Sequence, residues 1–364
     1  MRHCGLGSRR AGVSLLEVLF SIGVALVGLA GIAALLPVAG IQANKGALAD
    51  SAARLGADAI REFHVRSMGN PSTWRWYDGS GFSSLSLAQL TAGNSFCLDP
   101  RFVAQGDVIP RDHALRAQFP YVAPGAVLSM PRITLIRSLT PPVTIMGTLQ
   151  ANQVFTSDDS LVFDLPKDRT IGPVQNFSVS SSNQPLRRSA TGNVSWMATI
   201  VPKLDLTGNL TDEYTLSVVV FSRRIIDPTL TNENLASERV VMVAPGTFYS
   251  GQPAIGGGDL RLATRRDNPD DLELRSGDWV MLSGTKMRTG TLAPIQVHTW
   301  YRVVNAGEEP FLASPGVWVR DVTLVGPDWD WQNLSTATQV TIMRGAVAVF
   351  EKTIRLETSS LWTY

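Results

Sequence analysis

From Val18 to Gly40 the chain runs for 23 residues without a charged side chain. At about 1.5 Å per residue a helix of that length covers about 35 Å, more than the ~30 Å hydrocarbon core of a bilayer. A secretory signal carries a shorter apolar core, about 7–15 residues, with a small-residue cleavage site behind it. Here the core is longer and no such site follows, so the pattern predicts a retained transmembrane helix spanning about residues 18–41. Arg2, Arg9 and Arg10 precede it, with no acid among the first twelve residues. That asymmetry puts the N-terminus in the cytoplasm and everything after Ile41 outside. The Arg9-Arg10 pair abuts a segment of anchor length, which favours an anchor over a twin-arginine export signal.

Glu17 stands where this span begins. An ionised acid deep in a membrane helix costs about 3 kcal/mol, and less near an interface. It can snorkel towards headgroups or it can meet a cation. No Lys, Arg or His lies within two turns on its C-terminal side. A cut between Gly12 and Val13 would create a cation, the new α-amine of Val13. Within one helix the amine and Glu17 stand at i and i+4. In staggered neighbouring helices, the amine of one meets Glu17 of the next. At about 4 Å and an effective dielectric near 20, such a pair gains about 4 kcal/mol before desolvation is charged. That is comparable with the cost of inserting the acid.

The run Gly12-Val13-Ser14-Leu15-Leu16-Glu17-Val18 resembles the cleavage and methylation signal of type IV pilins and type II secretion pseudopilins. The "VALVGLAGIAAL" that follows is similar to V-type minor pilins. The likeness covers about residues 9–65, under a fifth of the chain. It implies a leader, residues 1–12, removed by prepilin peptidase between Gly12 and Val13, with N-methylation of Val13. It implies that Glu17 neutralises that amine in a neighbouring subunit during assembly. The partners would be other pilin or pseudopilin subunits, first in the inner membrane and then in a pilus or pseudopilus at the cell surface. Three features depart from the pattern. Val13 replaces the commoner Phe, the leader is somewhat long, and Glu17 is present where filament-capping pseudopilins often lack the acid.

Helical periodicity continues beyond the span. Ile41, Leu48, Ala52, Leu55, Ala59 and Phe63 fall within about 40° of one line at 100° per residue, so one face of the helix can bury. Gly69, Asn70 and Pro71 stop it. A single helix is therefore expected over residues 13–66. Pro37 interrupts its hydrogen-bond ladder and is expected to kink it. Gly23, Gly28 and Gly31 lower its helix propensity and permit close helix approach.

Past Pro71 the pattern changes to short β-rich runs punctuated by Gly, Pro, Asn and Asp. The expected fold class is α+β: a long N-terminal transmembrane helix followed by a β-rich extracytoplasmic domain. Two blocks are expected, residues 72–250 and 259–364, joined by the linker-like "SGQPAIGGGD". "RSGDWVMLSG", "HTWYRVVNAG", "RDVTLVGPDW" and "AVAVFEKTI" look like successive strands of a small barrel of the SH3 or OB kind. The alternative for the final strand is a return to the first block, since pilin sheets commonly close on the long helix. Residues 83–92 are the only weak candidate for a further helix.

The outer blocks show little that carries chemistry. His3, His64, His113 and His298 stand at no ligand spacing, and neither Cys4 nor Cys97 joins them in a zinc pattern, so no metal site or cofactor is expected. The acids of "DNPDDLE" lack the calcium-loop spacing and read as a solvated turn, as does "PDWDW". Trp329 and Trp331 are expected on a packed face in preference to a surface anchor. The Arg pairs at 187–188, 223–224 and 265–266 read as solvated strand ends. With a formal net charge of +1, nothing suggests nucleic acid. These residues describe a non-enzymatic structural subunit. The alternative is an ordinary single-pass anchor holding an extracytoplasmic binding domain or enzyme.

Overall fold

A computed structural model describes residues 14–91, 93–104, 117–121, 128–138, 144–157, 161–163, 188–190, 194–205, 208–224, 226, 238–244, 256–264, 268–287, 294–329 and 338–357. One long helix, α1, runs from Leu15 to Val65. Its bounds fall within two residues of those expected, although Val13 lies outside the described residues. The chain divides into two units, residues 1–50 and 51–364, and α1 contributes to both.

In the first unit the helix is apolar on every side. Its large hydrophobic residues, from Leu15 to Ile41, are all exposed. It is long and apolar enough to cross a membrane by length and composition. The helix continues through Pro37. That residue has no N–H, so the Ala33 carbonyl loses the partner it would otherwise have four positions on.

In the second unit the helix becomes amphipathic. Ala52, Leu55, Gly56, Ala59 and Phe63 are buried, an i, i+3, i+4 stripe. Ser67 turns the chain at a φ of 49°, and Asn70 caps the single 3₁₀ turn Pro71–Thr73 by accepting a hydrogen bond from Ser72 N. The indole of Trp74 donates to the Met68 carbonyl at 2.7 Å, which ties down the helix exit.

The strands fall into two main sheets. The first contains β1 (Trp74–Tyr77), β2 (Phe82–Ser83), β3 (Phe96–Leu98), β4 (Gln118–Phe119), β5 (Met130–Ser138) and β6 (Thr144–Ile145). A separate hairpin follows, β7 (Leu161–Phe163) with β8 (Arg188–Ala190). The sheet resumes with β9 (Val194–Leu204) and β10 (Leu210–Ser222), and it also takes in β18 (Ala346–Arg355). Its order is β18-β10-β9-β3-β5-β1-β2, with β4 and β6 hanging on β5. Only the β3–β5 pair is parallel among the described pairings. The short α2 (Leu87–Thr91) falls within the candidate stretch 83–92, and α3 (Pro100–Ala104) and α4 (Thr148–Phe155) appear where no helix was expected. Those two lie in stretches whose patterns are too short for helical periodicity to register.

The other strands are β11 (Glu238–Val243), β12 (Gly257–Ala263), β13 (Trp279–Met287), β14 (Pro294–Ala306), β15 (Phe311–Ser314), β16 (Val317–Val325) and β17 (Gln339–Met343). Their order is β12-β11-β17-β13-β14-β16-β15, and the pairing of β12 with β16 closes six of them into a barrel. Its interior holds Val241, Leu260, Leu272, Leu282, Tyr301, Val322, Leu324, Trp329 and Ile342 among others. Trp329 is therefore a core residue; Trp331 lies outside the described residues. The acidic turn behaves differently from a solvated loop. Asn268 caps a 3₁₀ helix over Pro269–Leu272, and Asp271 and Leu272 are buried.

The seam between blocks also falls elsewhere. β11 comes before the linker-like stretch, yet it pairs β12 and β17 inside the barrel. Of that stretch, 250–255 lie outside the described residues, and Gly257 to Asp259 already form β12. A six-residue strand has no feature that names its sheet, so pairing decides its block. β17 passes into β18 through Arg344 and Gly345, and β18 pairs along nearly the whole of β10, so "AVAVFEKTI" is not a barrel strand and instead returns to the first sheet. Gly345 has a φ of 80°, and a Cβ there would meet the Ser222 carbonyl at 2.5 Å.

The first sheet is covered on both faces, which explains why β9 is buried at nine consecutive residues instead of alternating. On one face Phe350 lies against Gly56 of α1, so closely that a Cβ on Gly56 would come within 2.2 Å of its ring. On the other face Met197, Val219 and Phe221 meet Met281, Trp300 and Met343 of the barrel.

Candidate assembly helix and the buried polar groups of the outer domain

The residues singled out by sequence lie at the start of α1. Gly12 and Val13 are outside the described residues. Glu17 sits in the first turn and is exposed. The Ser14 carbonyl accepts from the amides of Glu17 at 3.0 Å and Val18 at 3.2 Å. Ser21 Oγ donates to the Glu17 carbonyl at 2.8 Å. A carboxylate in the first turn also complements the positive end of the helix dipole. The apolar surface behind it, from Leu15 to Ile41, has no buried residue. Among the described residues nothing covers this apolar surface.

The β-rich unit holds charged groups that sequence did not expose. Asp99 follows β3, Arg132 lies on β5, Arg224 follows β10, and Glu238 opens β11. Their side chains are 0–1% exposed. Arg132 pairs with Asp99, and its Nη2 donates to Glu238 Oε2 at 2.8 Å and Oε1 at 3.0 Å. Arg224 donates to Asp99 from Nη1 at 3.0 Å and from Nη2 at 2.5 Å. Two acids and two guanidiniums thus cancel in charge across the seam between the first sheet and the barrel. Burial alone would raise the Asp99 carboxyl, but the Arg224 and Arg132 guanidiniums outweigh it and hold the acid below its ordinary value. The Arg132 guanidinium also stacks 3.7 Å from the centre of the Phe102 ring.

Arg223 and Arg224 were both expected at a solvated strand end. Arg223 is exposed, while Arg224 is buried because the sheet and barrel close over it. Arg188 belongs to β8; Arg187, Arg265 and Arg266 lie outside the described residues. Cys97 neighbours the network and is fully buried; burial pushes its thiol well up. Cys4 lies outside the described residues.

A second polar pair lies where the barrel meets the sheet. Ser283 Oγ and His298 Nδ1 are 2.8 Å apart, and both residues are buried. His298 Nε2 is also buried and has no hydrogen-bond partner among the described residues. Burial drives the His298 pKa down to about 3, so the imidazole is neutral. A cleft of about 400 Å³ opens beside it, lined among others by Lys203, Thr215, Asp328, Trp329 and Glu351. No group of three or more His, Cys, Asp or Glu side chains arranged to hold a metal ion occurs among the described residues.

No family model matches the chain, and neither a curated protein nor a solved structure is significantly similar to it.

Proposed function

We propose that the protein is a minor pilin or pseudopilin, a non-enzymatic structural subunit of a type IV pilus or a type II secretion filament. The observation that carries this reading is the order Gly12-Val13-Ser14-Leu15-Leu16-Glu17 at the head of a continuous helix whose first half is apolar on every side. Prepilin peptidase removes residues 1–12 at the cytoplasmic face of the inner membrane. The helix then leaves lipid for a bundle of like helices, and Glu17 pairs with the Val13 amine of a neighbour. The β-rich domain projects outwards. Its bulk suits a subunit used sparingly along a filament.

Mass spectrometry of the mature N-terminus tests the reading. Its expected result is a chain beginning at N-methyl-Val13. A chain that keeps Met1–Gly12 in cells with an active prepilin peptidase would sink it and leave an ordinary single-pass anchor. A second test separates processing from assembly. Glu17→Ala should still be cleaved, while its recovery in sheared filaments falls by at least about tenfold, in keeping with the loss of several kcal/mol of pairing.

A further inference from the structure

Three elements converge beside the exit of α1. Alternation along β5 puts Leu135 and Arg137 on one face, and Leu135 stands opposite Trp74 of β1. α4 places Gln150, Gln153 and Val154 on one face, at i, i+3 and i+4. Arg66 follows the last residue of α1. Leu135, Arg137, Arg66 and the α4 residues line, with Met146, a cleft of about 400 Å³.

The lining carries two cations and no acid. Arg66 Nε pairs with Glu62, outside the lining, which leaves both of its Nη groups without a partner among the described residues. No ion pair or side-chain hydrogen bond holds Arg137 among those residues either. Glu62 thus offsets one of the two charges, and one stays uncompensated. These donors are open to solvent. The Arg66 side chain is 49% exposed, and Arg137 and Gln153 are exposed as well. Gln150 Oε1, by contrast, is buried and is not offered to the cleft. Leu135, Met146 and Val154 supply an apolar wall.

We infer that this cleft is a binding site for a small carboxylic acid with a compact apolar body. A guanidinium fork meets a carboxylate through two parallel hydrogen bonds, and the planar geometries match. The apolar body covers the wall and takes its surface out of water. A bare inorganic anion would meet the arginines and leave the wall wet. A neutral analogue would cover the wall and leave Arg137 unpaired. The volume lies in the range of small-molecule sites. The inference stands apart from the assembly helix and does not depend on the filament reading.

The test uses the full chain in a nonionic detergent, labelled with ¹³C-methyl methionine. Met146 is the reporter, assigned by its loss in Met146→Leu. Met343, buried where the barrel meets the sheet, is the control. Benzoate should move the Met146 methyl saturably in the millimolar range and leave Met343 unmoved. Benzamide, its neutral analogue, and inorganic phosphate should each bind at least about fivefold more weakly. Arg137→Gln keeps a polar side chain without the charge, and should weaken benzoate by about fivefold. If this variant fails to fold, the comparison of benzoate with benzamide in the unaltered protein decides alone. A Met146 methyl unmoved by benzoate up to about 50 mM overturns the proposal. Benzamide or phosphate binding as tightly as benzoate overturns it too, as does benzoate binding that a folded Arg137→Gln leaves intact.

Discussion

Two regions of this chain bury the wrong residues by ordinary expectation. Along α1 from Leu15 to Ile41, leucines, valines and isoleucines stand 46–78% exposed. Around β3, β5 and β11, side chains of Asp99, Arg132 and Glu238 are 0% exposed. Hydrophobicity alone ranks these residues the other way round. The contrast shows that burial follows partners. The arginines and acids can go inside because each meets an opposite charge within hydrogen-bond distance. The aliphatic side chains of the helix have no counterpart among the described residues, and the proposed function rests on that contrast.

The largest effect should come from removing one partner at the buried end of this contrast. Arg132→Ala leaves one cation for two acids in a closed interior: Arg224 stays with Asp99 and stands 3.6 Å from Glu238. Breaking a buried pair in this way costs about 3–5 kcal/mol. Thermal or urea unfolding of the β-rich unit should show that loss. A change under 1 kcal/mol would mean that water reaches the network, and the comparison would fail. Isosteric replacement of all four charges by apolar residues should be far milder, because an intact pair contributes little net stability.

Acid sharpens the same comparison. His298 has a folded pKa of about 3, against about 6.5 when unfolded. The unfolded chain therefore binds the extra proton first, and stability falls as pH drops from 6.5 towards 3. The slope is about 1.4 kcal/mol per pH unit, so about 2 kcal/mol is lost by pH 5. Asp99 has its pKa depressed below the ordinary 3.8. Its contribution is present above that value and is lost only as pH falls through the lower folded one. Asp278 and Glu351, raised by burial, act in the opposite sense and are expected to be weaker because both keep some contact with water. Unfolding midpoints measured between pH 7 and 5 should fall for the unaltered chain and stay nearly level for His298→Gln.

A smaller effect belongs to the helix where it passes from bare to packed. Gly56→Ala places a methyl against Phe350, and overpacking of this kind costs about 1–3 kcal/mol. The lower part of that range is expected, since the Phe350 ring can rotate away. Phe350→Leu in the same chain should recover part of the loss. Equal destabilisation with and without that second change would argue that the helix does not rest on β18.

These sites differ in how far the sequence disclosed them. The helix and its buried stripe were legible because periodicity is a local signal: Ala52, Leu55, Ala59 and Phe63 were named from spacing, and all four are buried. The barrel was legible as a set of alternating runs. Its first strand, Glu238–Val243, was not placed there, because a short run carries no label for its partner. The charge network was invisible for the same reason. Asp99, Arg132, Arg224 and Glu238 are brought together by the folding of the sheet against the barrel, across separations of up to 125 residues in the Arg224–Asp99 contact. The Ser283–His298 pair belongs with them. It exists only because β13 and β14 set those two residues opposite each other, and a lone histidine in a β-rich run gives no notice of it.

The smallest effect is the one most tied to function. Phe20→Ala, on the bare half of α1, removes a large side chain that is 72% exposed. A buried phenylalanine would cost about 3–5 kcal/mol on the same change, whereas an exposed one should leave outer-domain unfolding within about 0.5 kcal/mol. The same substitution should still lower recovery in filaments, because the lost surface is then buried against neighbouring helices, at about 25 cal/mol per Å². The two readouts must separate for the proposal to stand. A helix that serves only as a tether would tolerate the change in both, since lipid accommodates alanine and phenylalanine alike. A helix that packs in a filament would register it in assembly alone.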